Sequence, residues 1–355
     1  MNIKIHSSEL NRMMKVIAQC TDPKDNANKA NIEIGNLNNQ LYIHASDGHF
    51  SATMTTPMLG LDDEKFCVDG QMFARVCAMC NGEVQIITDD KTCTIKGAGR
   101  TKLPIVNANI PRHEDVIGKK AVISAEQLNR CYGSVAYAVS TDTTRLYLTG
   151  ILTEVNGGKM KMTSLDGFQM SIESAECEGD EIKAIIPATF LKLVTQATSS
   201  GEDVTIYTDG HRIAAQTDSM ALSCGLLTGD YPDVARILPT EFKTECMVNA
   251  AELMNALKSG SVVNNKQNLV KMEISENSIR VMNNSEEADF EADINCDTHG
   301  PDLKIAFNLK YLMNTINAIA AENVILHFNT SVTPCVATCK DEDGVRLVLP
   351  VRVQG

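Results

Sequence analysis

One pattern of apolar and polar positions occurs three times along the chain. In each copy a short alternating strand is followed by a small polar residue, an acidic residue and a helix with an apolar stripe. The copies begin near residues 3, 121 and 247, and equivalent leucines stand at Leu10, Leu128 and Leu253. Such internal repetition indicates a chain built of three similar units.

A second sequence pattern recurs inside each unit and predicts a strand, a helix, a polar turn and another strand. Phe73, Leu191 and Leu312 hold its equivalent positions. The apolar residues of both patterns return at steps of three and four, which is typical of amphipathic helices. Six helices are therefore predicted, over residues 8–16, 69–80, 125–132, 188–197, 251–258 and 308–319. Ser8, Asp69 and Asn308 are the expected helix caps.

Between the helices, apolar and polar residues alternate at period two, as they do in half-buried antiparallel strands. Clear examples cover residues 40–44, 84–88, 159–163 and 278–282. Turn formers such as Asn38-Asn39, Asn156-Gly157-Gly158 and Asp209-Gly210 separate the strands. The predicted fold class is α+β, with helices on one face of antiparallel sheets.

The length of 355 residues suits three domains of about 120 residues each. We place them at residues 1–117, 118–243 and 244–355, with polar joints at 109–120 and 238–246. No apolar run approaches the roughly 20 residues of a membrane span, and no signal peptide opens the chain. The twelve cysteines stand mostly at apolar positions. A cytoplasmic location without membrane association is therefore expected.

Charge separates the helices from the rest of the chain. The net charge of −13 is unlike that of an ordinary nucleic-acid-binding protein, which is basic. The predicted helices nevertheless carry seven bases against four acids, and the acids stand in cap or first-turn positions. If the helices share one surface, that surface is mildly positive on an acidic body. The alternative is that these charges only keep the helix faces solvated.

Three local stretches, together with the repeats, point to a family. They are GDYPDVARILP at 229–239, FNLKYL at 307–312 and LVLPVR at 347–352. With the threefold repeat they resemble the bacterial β sliding clamp, the processivity factor of the replicative DNA polymerase (DNA polymerase III subunit beta). The resemblance covers the whole chain in order.

The resemblance implies a ring of two protomers joined head to tail, with helices lining a central hole and sheets outside. Lysines and arginines on the helices would then face the phosphates of encircled duplex DNA, without sequence specificity, and the acidic exterior would repel DNA. The implied partners are duplex DNA, a DNA polymerase, the clamp loader, other replication and repair proteins, and a second copy of the chain. No cofactor is implied.

The family binds partner peptides in a hydrophobic cleft between its middle and last domains. Carried over position by position, the cleft residues here are Leu148, Leu165, Gly167, Phe168, Gln169, Met170, Pro232, Ile237, Leu347 and Leu349. Most of these residues are apolar, as a peptide groove requires. Plain core packing is the alternative role for them.

One segment departs from the family pattern. The family commonly has T-D-G-H-R-(L/M) where this chain has LDGFQM at 165–170. The missing His and Arg leave the choice of partner and the peptide affinity open. The segment TDGHRI at 208–213 has the family's letters, but its position predicts a strand-turn-strand, so we interpret it as a chance match.

The DNA-contact candidates are basic residues of the first loop, the helices and two further segments. They are Lys24, Lys29, Arg12, Lys15, Arg75, Arg130, Arg145, Lys192, Arg236, Lys258 and Lys310. Asp230 and the pair Ala188-Thr189 stand where the family frequently has bases, which predicts weaker attraction to DNA. On the same mapping, ring closure would use Arg100, Lys102, Ile105, Val262 and Val263.

No catalytic or metal-binding motif stands out. Cys77 and Cys80 have a metal-like spacing, but no second pair completes a site, and both fall on a helix stripe, so a core role is expected. The predicted function is a non-enzymatic sliding clamp. The alternatives are a ring-shaped peptide-binding hub with little DNA affinity, and a hydrolase or transferase with an unrecognised site.

Overall fold

A computed structural model describes residues 1–24, 28–60, 63–263, 268–340 and 343–352. Its backbone groups into two compact units. The first unit comprises Met1–Asn129, Val155–Gly158 and Cys177–Leu226. The second comprises Arg130–Glu154, Lys159–Glu176 and the chain from Leu227 onward.

The helices lie where the repeats predicted them. They are α1 (Ser7–Ile17), α2 (Gly70–Ala78), α3 (Ala125–Val135), α4 (Ala188–Ala197), α5 (Ala250–Gly260) and α6 (Leu309–Asn317). Short 3-10 helices cover Ala18–Cys20, Ala136–Ala138, Thr143–Thr149 and Val234–Arg236.

The remaining elements are strands, paired antiparallel in every ladder that is described. In chain order they are β1 (Asn2–His6), β2 (Asn31–Leu37), β3 (Gln40–Ser46), β4 (Phe50–Pro57), β5 (Lys65–Asp69), β6 (Glu83–Thr88), β7 (Thr92–Lys96), β8 (Arg100–Pro104), β9 (Lys119–Ser124), β10 (Gly150–Asn156), β11 (Lys159–Leu165), β12 (Gln169–Glu176), β13 (Glu178–Gly179), β14 (Ile182–Pro187), β15 (Asp203–Thr208), β16 (Arg212–Thr217), β17 (Met220–Gly225), β18 (Thr244–Asn249), β19 (Leu269–Ser275), β20 (Ser278–Asn284), β21 (Asp289–His299), β22 (Leu303–Asn308), β23 (Asn323–Phe328), β24 (Cys335–Thr338) and β25 (Val345–Val348). The α+β class is confirmed.

The first unit contains two antiparallel sheets. One has the strand order β1-β6-β7-β8, and the other the order β13-β9-β15-β16-β17-β4-β3-β2-β5. Helix α1 packs against both α2 and α4. Arg12 of α1 donates to the carbonyl of Ala197 at the end of α4 (3.2 Å). Gln19, in the 3-10 helix that follows α1, donates to the Gln196 side chain of α4 (2.8 Å).

In the second unit the strands follow one another in the order β11-β12-β25-β24-β23-β18-β21-β20-β19-β22. Helices α5 and α6 pack on each other and bury their apolar stripes against these strands. Leu253 and Leu257 from α5 and Leu312 and Ile316 from α6 belong to one core cluster.

The equivalence of the repeats is confirmed by burial. Each residue that the repeats align is fully or almost fully excluded from solvent: Leu10, Leu128, Leu253, Phe73, Leu191 and Leu312. Because apolar residues at matching positions occupy matching core sites, the periodicity of the sequence reports real packing.

Two of the three expected caps are confirmed and one is wrong. Asp69 accepts a hydrogen bond from the Met72 amide (2.6 Å), and Asn308 accepts one from the Lys310 amide (3.0 Å). Helix α1 begins one residue earlier than predicted, and its cap is His6 rather than Ser8. The His6 imidazole accepts from the Ser8 amide (3.3 Å), a role that serine or asparagine fills more often.

Candidate partner-binding and nucleic-acid surfaces

A row of apolar side chains crosses four adjacent strands of the second unit. Leu165 on β11 lies opposite Met170 on β12, Met170 opposite Leu347 on β25, and Leu347 opposite Val336 on β24. Directly opposed residues project from the same face of a sheet, so the four side chains form a continuous strip. Leu148 packs onto this strip, and we call the five residues the apolar row.

Half-buried side chains surround the apolar row. They are Tyr147, Ile172, Tyr231, Val234, Leu238, Phe242, Val345 and Leu349. The Tyr231 hydroxyl donates to the carbonyl of Thr163 (3.1 Å), and burial raises the pKa of the Tyr231 phenol. This bond fixes the GDYPDVARILP segment against strand β11.

The ten residues expected to form the cleft fall into two groups. Leu148, Leu165, Met170 and Leu347 belong to the apolar row, and Leu349 packs against it. The others lie in the segments that flank the row, and they are Gly167, Phe168, Gln169, Pro232 and Ile237. The structure thus brings half of the expected set into one cluster.

The flanking group differs widely in exposure. Gln169 is buried, and its amide nitrogen donates to the Tyr137 carbonyl (3.1 Å) and to the Asp166 carboxylate (3.0 Å). Phe168 is 56% exposed and Ile237 is 39% exposed. Gln169 therefore supports the loop between β11 and β12, whereas Phe168 and Ile237 present apolar surface to solvent.

The loop between β11 and β12 is a tight turn held by its aspartate. The Asp166 carboxylate accepts from the Phe168 amide (2.8 Å) and the Gln169 amide (2.9 Å). Gly167 adopts φ +97°, which favours glycine. At the tip, the Phe168 ring stacks on Tyr311 of α6.

Several residues of this surface were missed from the sequence. Val336 belongs to the apolar row, and Tyr147, Tyr231 and Phe242 pack against it. Tyr231 lies within a stretch that the sequence had singled out, and its aromatic ring was the available signal. For Val336 the signal was the short apolar run of β24, but the sequence does not specify its register against β25.

The second TDGHR-like segment is a hairpin turn, as predicted. Thr208 at the end of β15 lies opposite Ile213 in β16. The Asp209 carboxylate accepts from the amides of Arg212 (2.7 Å) and His211 (2.8 Å), and these bonds, that to Arg212 foremost, lower its pKa. The segment lies in the first unit, apart in the sequence from the apolar row.

Four of the candidate DNA-contact arginines are engaged in ion pairs. Each pairs with one carboxylate, and the pairs are Arg12–Glu9 (2.8 Å), Arg130–Glu173 (2.9 Å), Arg145–Asp142 (3.7 Å) and Arg236–Asp233 (3.2 Å). The Glu9 carboxylate has a lowered pKa, chiefly because of its hydrogen bonds from Arg12. A neighbouring carboxylate offsets part of the attraction of each guanidinium for phosphate.

The other candidates are mainly exposed. Lys24, Lys15, Arg75, Lys192, Lys258 and Lys310 have solvent-exposed side chains, and Lys29 is half-buried. Lys15, Arg75 and Lys192 stand on α1, α2 and α4, the three helices that pack together in the first unit. Exposed cations on one group of helices give that group a positive surface.

The residues expected at a protomer interface lie at accessible positions. Arg100 and Lys102 are exposed on β8, the last strand of its sheet, and Ile105 is half-buried just beyond it. Val262 is 81% exposed directly after α5, and Val263 is half-buried. The outer strand of a sheet can pair with a strand of another chain.

Cys77 and Cys80 are buried, which confirms their expected place in the core. Within the described ranges, no three His, Cys, Asp or Glu side chains come together in a metal-binding group. Among the helices that the structure describes, none is long and apolar enough to cross a membrane.

Two protein-family models match most of the second and third repeats of the chain. Residues 122–233 match the model of the DNA polymerase III beta subunit, central domain, and residues 235–352 match that of its C-terminal domain. The chain belongs to the DNA polymerase III beta subunit family. The resemblance seen in the sequence is thereby confirmed.

Known beta sliding clamps are similar to the chain over most of its length. The beta sliding clamp of Staphylococcus epidermidis is 24% identical over 343 residues, which cover 90% of this chain and 91% of the relative. The beta sliding clamp of Pseudomonas aeruginosa is 25% identical over 290 residues, 78% of this chain and 79% of the relative.

Solved clamp structures establish the fold. A sliding clamp from Pseudomonas aeruginosa bound to griselimycin has a TM-score of 0.91 at 22% identity, covering 99% of this chain and all of that one. The DNA polymerase III beta subunit of Thermotoga maritima has a TM-score of 0.89 at 20% identity, with the same coverage. Because the two structures are only 22% and 20% identical to the chain, the likeness shows that the chain has the sliding-clamp fold and shows nothing beyond the fold.

Proposed function

We propose that this chain is a DNA sliding clamp. Two copies join head to tail in a ring that encircles duplex DNA without sequence specificity. The ring tethers the replicative DNA polymerase and so confers processivity in DNA replication. Membership in the DNA polymerase III beta subunit family carries this proposal.

The distribution of charge supports a DNA-facing role for the helices. The chain has a net charge of −13, yet Lys15, Arg75 and Lys192 are exposed on helices that pack together in the first unit. In the second unit, Lys258 and Lys310 are exposed on the packed helices α5 and α6. Helix surfaces of this kind attract phosphates, while an acidic remainder disfavours DNA elsewhere.

The apolar row and its surroundings are the proposed partner-binding surface. Leu349 is half-buried beside the row, and Phe168 and Ile237 expose apolar surface in flanking segments. Apolar side chains over a rigid sheet suit the docking of short peptides. The polymerase, the clamp loader and other replication and repair proteins are the proposed users of this surface.

In this role the chain acts by binding alone, as a non-enzymatic protein without a cofactor in the bacterial cytoplasm. Its proposed domains are residues 1–117, 118–243 and 244–355. Arg100, Lys102 and Ile105 of one protomer would meet Val262 and Val263 of the other to close the ring. The position of β8 as the last strand of its sheet, among the strands that the structure describes, supports this assignment.

Primer extension tests the function. The replicative polymerase and clamp loader of the source organism are supplied on primed single-stranded circles, with an excess of unprimed trap DNA. With the chain present, products should lengthen from short fragments to full circles in a single binding event. Products of unchanged length would reject the proposal.

A peptide-binding hub with little DNA affinity is the second candidate. The observation that favours it is the pairing of four candidate DNA-contact arginines with carboxylates, among them Arg236 with Asp233. Such a hub would bind partner peptides through the apolar row and fail to remain on circular DNA.

A further inference from the structure

One buried carboxylate joins two arginines behind the apolar row. The Glu173 and Arg346 side chains are 1% and 0% exposed, and their closest oxygen and nitrogen lie 2.6 Å apart. The other oxygen of Glu173 accepts from Arg130 (2.9 Å). A charge removed from water in this way is tolerated only when it is paired and hydrogen-bonded.

The same side chains also bond to the backbone. Arg346 donates to the carbonyl of Ala318, the residue that caps the C-terminus of α6 (3.1 Å). Arg130 donates to the carbonyl of Ser174 (2.7 Å). A guanidinium at a helix C-terminus satisfies a carbonyl that lacks a helical partner and complements the helix dipole. The network therefore ties α3, β12, β25 and α6 together.

Strand β25 carries this network on one face and the apolar row on the other. Arg346 and Leu347 are consecutive, so their side chains project from opposite faces of the sheet. Arg346 lies opposite Ser171 of β12, and Leu347 lies opposite Met170. Any movement of β25 that separates Arg346 from Glu173 also displaces Leu347 from Met170.

Gly344 has no side chain, and the space that a side chain would fill is occupied by the Arg346–Glu173 ion pair. A Cβ atom at this position would overlap both the Arg346 guanidinium and the Glu173 carboxylate. Glycine is therefore required next to β25 by the position of two charged side chains. The glycine at position 344 is thus a second observation, besides the hydrogen bonds, that this part of the chain accommodates the Arg346–Glu173 ion pair.

We propose that Arg346 is a positioning residue for the partner-binding surface. Through Glu173 and the Ala318 carbonyl it sets the position of β25, and thus of Leu347 and Leu349. Buried ion pairs contribute little net stability compared with apolar replacements but impose one geometry, which suits this role. The binding role itself rests on the proposed function.

The test compares Arg346→Met with Arg280→Met. Arg280 also pairs with a carboxylate across two strands of the second unit, Asp293 at 2.8 Å, but it is exposed. Hydrogen exchange of the Val345–Val348 amides reports how readily the hydrogen bonds of β25 open, and thus how firmly the strand is held. Affinity for griselimycin, the compound bound to the Pseudomonas aeruginosa clamp, is measured by calorimetry on the full chain.

Arg346→Met should speed exchange in β25 and weaken griselimycin binding about tenfold, equivalent to about 1.4 kcal/mol. Arg280→Met should change neither quantity. Unchanged exchange and affinity in folded Arg346→Met would overturn the positioning role. If that variant does not fold, Glu173→Gln, which keeps the shape of the side chain, should move both quantities in the same direction, and no movement would again overturn it.

The two proposals fail in different ways. If the unaltered chain does not bind griselimycin, the proposal that its partner-binding surface takes this compound is rejected. The exchange of the β25 amides then still tests whether Arg346 holds β25 in place. Faster exchange in Arg346→Met supports it, and unchanged exchange refutes it.

Discussion

The Phe168 ring stacks on the Tyr311 ring, with centroids 5.6 Å apart and 17° between the ring planes. Phe168 is at the tip of the β11–β12 loop, and Tyr311 is in the first turn of α6. The Phe168 carbonyl also accepts from the Leu349 amide (2.9 Å). The loop tip is therefore fixed both to α6 and to the segment that follows β25.

Removing the Phe168 ring should weaken peptide binding. An aromatic pair contributes about 0.5–1.5 kcal/mol beyond its buried area, so loss of the stack on Tyr311 should lower the affinity of Phe168→Ala for a peptide from the DNA polymerase roughly two- to twelvefold. Phe168→His retains a ring that can stack on Tyr311 and should lose less. Calorimetry gives both values. Val332→Ala, at another exposed apolar residue of the second unit, is the control, and an equal effect of all three changes would contradict the stacking role.

Alanine substitutions at Leu347 and Leu349 should have different effects, the first mainly on the free energy of unfolding and the second mainly on partner binding. Leu347 is buried in the apolar row, so Leu347→Ala should cost about 2–5 kcal/mol of unfolding free energy. Leu349 is half-buried, so Leu349→Ala should leave most stability in place while it reduces polymerase stimulation in primer extension. Urea unfolding supplies the stability values. Full stimulation by folded Leu349→Ala would remove this residue from the binding surface.

Stability should fall in mild acid because of His44. This side chain is 1% exposed; its ring bonds to Thr53 (2.9 Å) and the Pro111 carbonyl (3.0 Å), and burial lowers its pKa. The unfolded chain, with a histidine pKa of about 6.5, then takes up the proton first. The contribution of neutral His44 to the free energy of unfolding is complete above about pH 6.5, the pKa in the unfolded chain. It is lost as the pH falls from there through the lowered pKa of the folded state.

The measurement is the urea midpoint between pH 8 and pH 5. His44→Gln should flatten its fall at low pH, and His49→Gln, at an exposed position, should follow the unaltered chain. A pH profile that is the same in all three proteins would show that His44 does not titrate between the folded and unfolded states.

Exposed helix lysines should set the salt dependence of DNA binding. Lys15→Glu with Lys192→Glu should reduce the slope of log affinity against log salt by about one for each phosphate that is no longer neutralised. Fluorescence anisotropy with labelled duplex over a salt series gives the slope. Lys120→Glu, an exposed base on β9, should change it little. An unaltered slope in the double variant would exclude these lysines from binding phosphate.

The local pattern of the sequence predicted the helices and many of the strands. The threefold apolar periodicity placed all six helices because aligned residues such as Leu10 and Leu128 fill matching core sites. The cap of α1 was predicted wrongly because an imidazole can accept the amide bond usually given to serine. Ion pairs three residues apart, such as Glu9–Arg12, follow from helix geometry, but they were not predicted from the sequence.

Contacts between distant residues could not be predicted in the same way. Arg346 and Glu173 are 173 residues apart, and nothing local reveals that β12 and β25 are adjacent. The terminal segment at 347–352 was singled out through its resemblance to a family, but the buried Arg346 directly before it was not noticed. The apolar row likewise depends on strand register, which alternation alone does not specify.

Retention on DNA tests most directly whether the chain encircles the duplex. The clamp loader places labelled protein on nicked circular plasmid, and gel filtration in high salt separates bound from free protein. A ring should remain on the closed circle and leave once a restriction enzyme linearises it, because it can then slide off an end. Equal loss from circular and linear DNA would contradict encirclement.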